Sequence, residues 1–173
     1  MFDRLIDLIM ASLEMLRPWV VLDPFERGVH LRLGKFLRVV EPGFHWIIPL
    51  RIDHILFESI VPTTHTLGDQ NCTTKDGKQI GLQAVITYKV RDIEVALLEV
   101  NHHEDAMRDS CIGTIGQVIS TFTWEEIMSG DAVQDKITKA CRQKGFKYGI
   151  EVMAVQFASL GLAKTLRLLN DHR

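Results

Sequence analysis

Cysteine is scarce. There are three in 173 residues, Cys72, Cys111 and Cys141, an odd number, widely spaced and without a C-x-x-C pair. That pattern argues against a disulfide framework and against a zinc site of ordinary ligand spacing, and a reducing compartment fits it best. An excess of one charge is missing as well. Lys and Arg number 20 against 22 Asp and Glu, a net charge of -2, so no overall positive field exists to collect phosphates and nucleic acid binding is not expected. Long hydrophobic runs are also lacking, because Asp3, Arg4, Asp7, Glu14 and Arg17 interrupt the apolar residues before Pro18. The N-terminus therefore matches neither a secretory signal nor the roughly 20 uncharged residues of a spanning helix, and export is not expected. No G-x-S-x-G elbow, H-E-x-x-H pair, G-x-x-x-x-G-K-[ST] loop or G-x-G-x-x-G run occurs, and no internal repeat.

What remains is an ordinary folded composition, 46% hydrophobic and 24% charged, enough for one domain or two small lobes. Residues 2–17 carry Phe2, Leu5, Ile6, Ile9, Leu13 and Leu16 at steps of three and four, with Asp3, Asp7 and Glu14 elsewhere around the helix. Pro18 should end that helix, and the apolar pattern runs on through Trp19, Val20, Val21 and Leu22. Such a segment suits a helix lying in a membrane interface, with Trp19 near the headgroups. Its bland alternative is a helix packed on its own domain or on a neighbouring subunit.

From Phe25 the period alternates: Val29, Leu31 and Leu33 against His30 and Arg32, a turn at Gly34-Lys35, a returning strand to Val40, then the Glu41-Pro42-Gly43 turn. Phe44-His45-Trp46-Ile47-Ile48-Pro49 is an apolar run that reads equally as a buried strand or an exposed loop. In the exposed case Phe44, Trp46, Ile47 and Ile48 would form a wedge that dips into a bilayer. Residues 52–61 read as a strand, 62–71 as loop or edge. Ile80, Leu82, Ala84, Ile86, Tyr88 and Val90 alternate with polar residues after the Asp76-Gly77 turn. An amphipathic helix follows, marked by Ala106, Met107, Cys111, Ile115, Val118, Ile119 and Phe122. Thr123-x-x-Glu126 has capping-box spacing, Asp131 reads as an N-cap, and Gly145 as the stop of a helix carrying Val133, Ile137, Ala140 and Cys141. Residues 151–159 read as a strand and 162–169 as a short final helix.

Chemistry is poorly represented. His102-His103-Glu104-Asp105 is the most suggestive metal cluster, yet neighbours this close point around a helix start rather than at one ion. An acidic helix beginning that favours the macrodipole explains it equally well. Cys111, imagined as a nucleophile with His45 or His103, falls on an apolar helical face where cysteine is an inert small hydrophobe. No catalytic residue, cofactor or metal site is expected.

Several separated pieces, in this order, resemble the SPFH/Band 7 (stomatin–prohibitin) family: Glu26-Arg27-Gly28-Val29, Leu31-Arg32-Leu33-Gly34-Lys35, Pro42-Gly43-Phe44-His45, Ile48-Pro49, Thr74-Lys75-Asp76-Gly77, Ala84 to Asp92, the Ser129 to Lys139 helix and Tyr148-Gly149-Ile150-Glu151-Val152. The resemblance covers roughly residues 20–169. It implies an α+β fold with a β-rich first lobe (residues 23–92) and a second lobe of helices on a short sheet (residues 93–173), and the apolar spacing adds the amphipathic membrane-associating segment before them (residues 1–22). It also implies a non-enzymatic scaffold that associates with membrane lipid on the cytoplasmic face, peripherally or monotopically. Such a scaffold forms a homo-oligomer and modulates partner membrane proteins such as proteases or channels. The family pattern has a Leu-Pro step before a long C-terminal helix where this chain has Leu162-Ala163, and a longer hydrophobic anchor than residues 2–17 supply. The rival readings are a soluble regulatory subunit that docks its N-terminal helix on a partner protein, and a hydrolase using His103, Glu104 and Asp105.

Overall fold

The computed structural model describes residues 17–163. The helix expected over residues 2–17, with Phe2, Leu5, Ile6, Ile9, Leu13 and Leu16, lies outside the described residues but for Arg17, as does the final helix from residue 164 on. The described chain is α+β and divides into two compact units, one holding residues up to Val61 together with Val90–Asn101, the other holding Pro62–Lys89 together with residues from His102 on.

In the first unit, β2 (Glu26–Arg32) is the centre of a three-stranded antiparallel sheet between β3 (Lys35–Val40) and β5 (Asp53–Ser59). Leu33 and Gly34 close the β2–β3 hairpin with φ of 51° and 78°, the pair of positive angles that matches the strand twist in a two-residue loop. Gly28 on β2 stands opposite Phe57, and a Cβ there would run into the Leu56 carbonyl oxygen. Only glycine admits the two strands at that spacing. A separate two-stranded ribbon pairs β1 (Trp19–Leu22) with β4 (Gly43–Trp46). Its inner residue Leu22 buries against Val40 and Ile55, with Val20 and Ile47 packed around them. A second cluster joins Val29 to Val90, Ile93 and Ala96, the last on a short turn of π-helix, Val95–Glu99.

In the second unit, β8 (Gln79–Val90) alternates throughout: Ile80, Leu82, Ala84, Ile86 and Tyr88 are buried between residues that are not. β6 (Thr63–Thr66) and β7 (Gln70–Thr73) pair antiparallel with it. Residues 62–71, read as loop or edge, thus contain one strand and the start of another. Each is only four residues long, too short for its alternation to stand out from a loop. β9 (Ile150–Leu162) also pairs with β8. The Ala163 N–H donates to the Gln79 carbonyl at 2.9 Å while Lys89 meets Glu151 at 3.5 Å, so these two strands run oppositely. Leu162 is therefore strand, not helix.

Helices α1 (His103–Ile119), α2 (Trp124–Met128) and α3 (Asp131–Gly145) close one core with β8 and β9. Met107, Cys111, Ile115 and Ile119 on α1, and Val133, Ile137 and Cys141 on α3, lie four residues apart and all are buried. The capping box at α2 is present: Glu126 N–H donates to Thr123 Oγ1 at 3.4 Å and Thr123 N–H to Glu126 Oε2 at 2.7 Å. Gly130, with φ of 96°, takes the N-cap place of α3 that Asp131 was expected to fill. Asp76 joins the β7–β8 turn to α2, accepting from Trp124 N–H at 3.2 Å. The Thr74 hydroxyl first, then Lys78, hold its carboxyl down to about 2.

Candidate functional site

Alternation along two short paired strands decides which side chains face outward. In the β1–β4 ribbon Trp19 stands opposite Trp46, and Val21 opposite Phe44. These four share one face, since opposed residues of a ladder point the same way. Their fractional exposures are high for such residues: Trp46 67%, Val21 59%, Phe44 55% and Trp19 38%. The rings are ordered by one another. Trp46 meets Trp19 edge-on with centroids 6.4 Å apart and Phe44 at 5.5 Å, the arrangement that ring quadrupoles favour. The Arg17 guanidinium lies 5.5 Å from the Trp19 ring centroid. A contiguous outward aromatic cluster of this kind is a candidate place for contact with an apolar partner.

The remaining two residues of the wedge expectation are placed differently. Ile47 is half-buried against the Leu22, Val40 and Ile55 cluster, its N–H donating to the Pro18 carbonyl at 2.9 Å. Ile48 is exposed, and its N–H donates to Asp53 Oδ2 at 2.9 Å. Past it, Leu50 is exposed and both Leu50 and Arg51 hold φ of 63°. Asp53 secures this loop. Its buried carboxylate takes Arg32 Nε at 2.7 Å and Nη2 at 3.1 Å, and lies 3.2 Å from His30 Nε2. Arg32 foremost, with the Ile48 N–H and His30, holds the Asp53 carboxyl well below the usual carboxylate range against the opposing effect of burial. At the ribbon's turn, His45 Nε2 donates to the Glu41 carbonyl at 2.6 Å and Arg27 pairs with Glu41 at 2.8 Å. Val21 was missing from the sequence reading of this face, because its role depends on β1 finding β4 across more than 20 residues.

The residues weighed for chemistry do not converge. His103 is buried, Glu104 Oε1 accepts from the Tyr88 hydroxyl at 2.8 Å, and Asp105 pairs with Arg108 at 3.2 Å. Among the described residues no group of three or more His, Cys, Asp or Glu is disposed to hold a metal ion. Cys111 is fully buried, its Sγ 3.7 Å from Met107 Sδ. Its neighbour Cys141 is pushed far up by the hydrogen bond with Cys111 and by burial, so Cys141 is held as a thiol, while the same hydrogen bond draws Cys111 down against the opposing effect of burial. No described helix is long and apolar enough to cross a membrane.

Comparison with known proteins agrees with this architecture. An uncharacterized protein of Archaeoglobus fulgidus is 27% identical over 161 residues, 92% of this chain and 64% of that protein. One of Methanocaldococcus jannaschii is 24% identical over 149 residues, 86% of this chain and 74% of that one. The Modulator of FtsH protease HflK of Escherichia coli is 28% identical over 104 residues, 60% of this chain and 25% of that protein. The chain thus spans just under two thirds of the archaeoglobal protein and a quarter of the bacterial one. The model of the SPFH domain / Band 7 family matches residues 20–167, nearly the whole of what has been described, and the chain belongs to that family.

Proposed function

We propose that this chain is a non-catalytic SPFH scaffold domain that rests on a membrane surface, assembles with copies of itself and modulates a partner membrane protein. The observation that carries the reading is the outward aromatic face of Trp19, Val21, Phe44 and Trp46. Fully burying one such side chain is worth roughly 1.5–3 kcal/mol, so burying half of each of the four contributes on the order of 3–6 kcal/mol. That suffices for reversible attachment and invites reinforcement by a second element. The segment of residues 1–22, with Phe2, Leu5, Ile6, Ile9, Leu13 and Leu16, supplies it, and Ile47 and Ile48 flank the contact. Attachment is peripheral or monotopic, on the cytoplasmic face. The bacterial relative's description as a modulator of the FtsH protease supports a protease as the partner.

Vesicle co-sedimentation tests the reading. The wild-type chain pellets with phosphatidylcholine vesicles, while Phe44→Glu with Trp46→Glu, both at exposed positions, remains folded and stays in the supernatant. Wild-type protein that does not pellet, or a double variant that pellets equally, removes the lipid reading and favours a soluble regulator that docks on protein.

A further inference from the structure

Beside the aromatic face lies an open groove of about 340 Å³, lined by Arg17, Trp19, Val20, Val21, Ile47 and Phe57. Its one charged lining residue is a cation, and the others are apolar or aromatic. Phe57 is 49% exposed, because its cross-strand partner is Gly28, which has no side chain to cover it. Arg27 is neutralised by Glu41 and Arg32 by Asp53, whereas among the described residues no carboxylate pairs with Arg17, which lies over the Trp19 ring. A guanidinium stacked on an aromatic ring is weakly hydrated and keeps its N–H edge for a phosphate oxygen.

We infer that this groove is a site for one anionic phospholipid, the headgroup phosphate on Arg17 and the upper part of an acyl chain laid along Phe57, Ile47 and Val20. The inference rests on the lipid-contact reading and adds headgroup selectivity to it. Continuity argues for lipid as the occupant: Trp19 and Val21 belong both to the outward face and to the groove wall. A volume near the lower end of small-ligand sites, about 300–1,000 Å³, fits part of a molecule whose remainder stays in the bilayer.

The test compares phosphatidylcholine vesicles with vesicles that also contain phosphatidylglycerol, using wild type, Arg17→Gln and Phe57→Ala. The expected result is a wild-type preference for the anionic vesicles of about fivefold, the size of one basic residue at a charged surface. Arg17→Gln should lose that preference, and Phe57→Ala should weaken binding to both. Added inorganic phosphate should leave the preference in place. Equal wild-type binding to the two vesicles, an undiminished preference in Arg17→Gln, or displacement by inorganic phosphate each overturns the lipid site while leaving attachment through the aromatic face intact. No binding to either vesicle overturns both.

Discussion

Asp53 draws several polar groups of the first unit together. It fastens the loop after β4 through Ile48 and joins β5 to β2 through Arg32 and His30. Because its folded carboxyl titrates below the unfolded value of about 3.9, its ionised form adds stability that is fully present above that value and is lost as pH falls toward the folded one. Asp53→Asn should therefore be less stable than wild type at pH 7, and the gap should narrow below about pH 4. Urea denaturation midpoints at pH 7 and pH 3 check this, and an equal gap at both would show that the carboxylate charge is not what matters. None of this could be read beforehand. Asp53 follows an apolar run in the sequence, and its partners are 21 and 23 residues upstream. Cys111 was the opposite case, since its spacing from Met107 and Ile115 already placed it on a buried helical face.

Elements with long periods were legible and short ones were not. The twelve residues of β8 alternate without a break, and the apolar face of α1 recurs over four turns, so each repeats its signal often enough to be unmistakable. The four-residue strands β6 and β7 repeat theirs only twice. Trp19 to Leu22 continued an apolar pattern from the preceding segment and became β1 only because β4 pairs with it. A related limit applied to the ribbon. Periodicity could name Phe44 and Trp46 as one face but not say whether that face was covered, which depends on the whole sheet. At this scale Gly28 sets how closely β2 approaches β5. Gly28→Ala should cost about 1–3 kcal/mol, because strands must part to admit the methyl group. Gly81→Ala, whose new methyl would meet only Asn71 Oδ1 at an ordinary 3.7 Å, should be neutral or stabilising by up to about 1 kcal/mol. Chemical denaturation of both variants compares them directly, and equal losses would refute the packing argument.

For the molecule as a whole, the two units draw on interleaved stretches of sequence, and β7 and β8 share a core with α1, α2 and α3. The side chains of His103, Glu104 and Asp105 are committed to separate neighbours or to burial. Melting in the presence and absence of EDTA should accordingly coincide, and a drop of several degrees on chelation would reopen a metal role. The family assignment rests on almost the full chain, whereas the bacterial protease modulator is matched over a quarter of its length. Its regulatory action comes to this chain as a proposal.

The pairing of Trp19 with Trp46 also gives the protein an optical handle of its own. Two of its three tryptophans occupy one outward ribbon, and the third, Trp124, opens a helix in the other unit. Ultraviolet emission from the native chain is thus weighted toward the aromatic surface. Its colour registers whether those indoles sit in water or in hydrocarbon, with no dye attached.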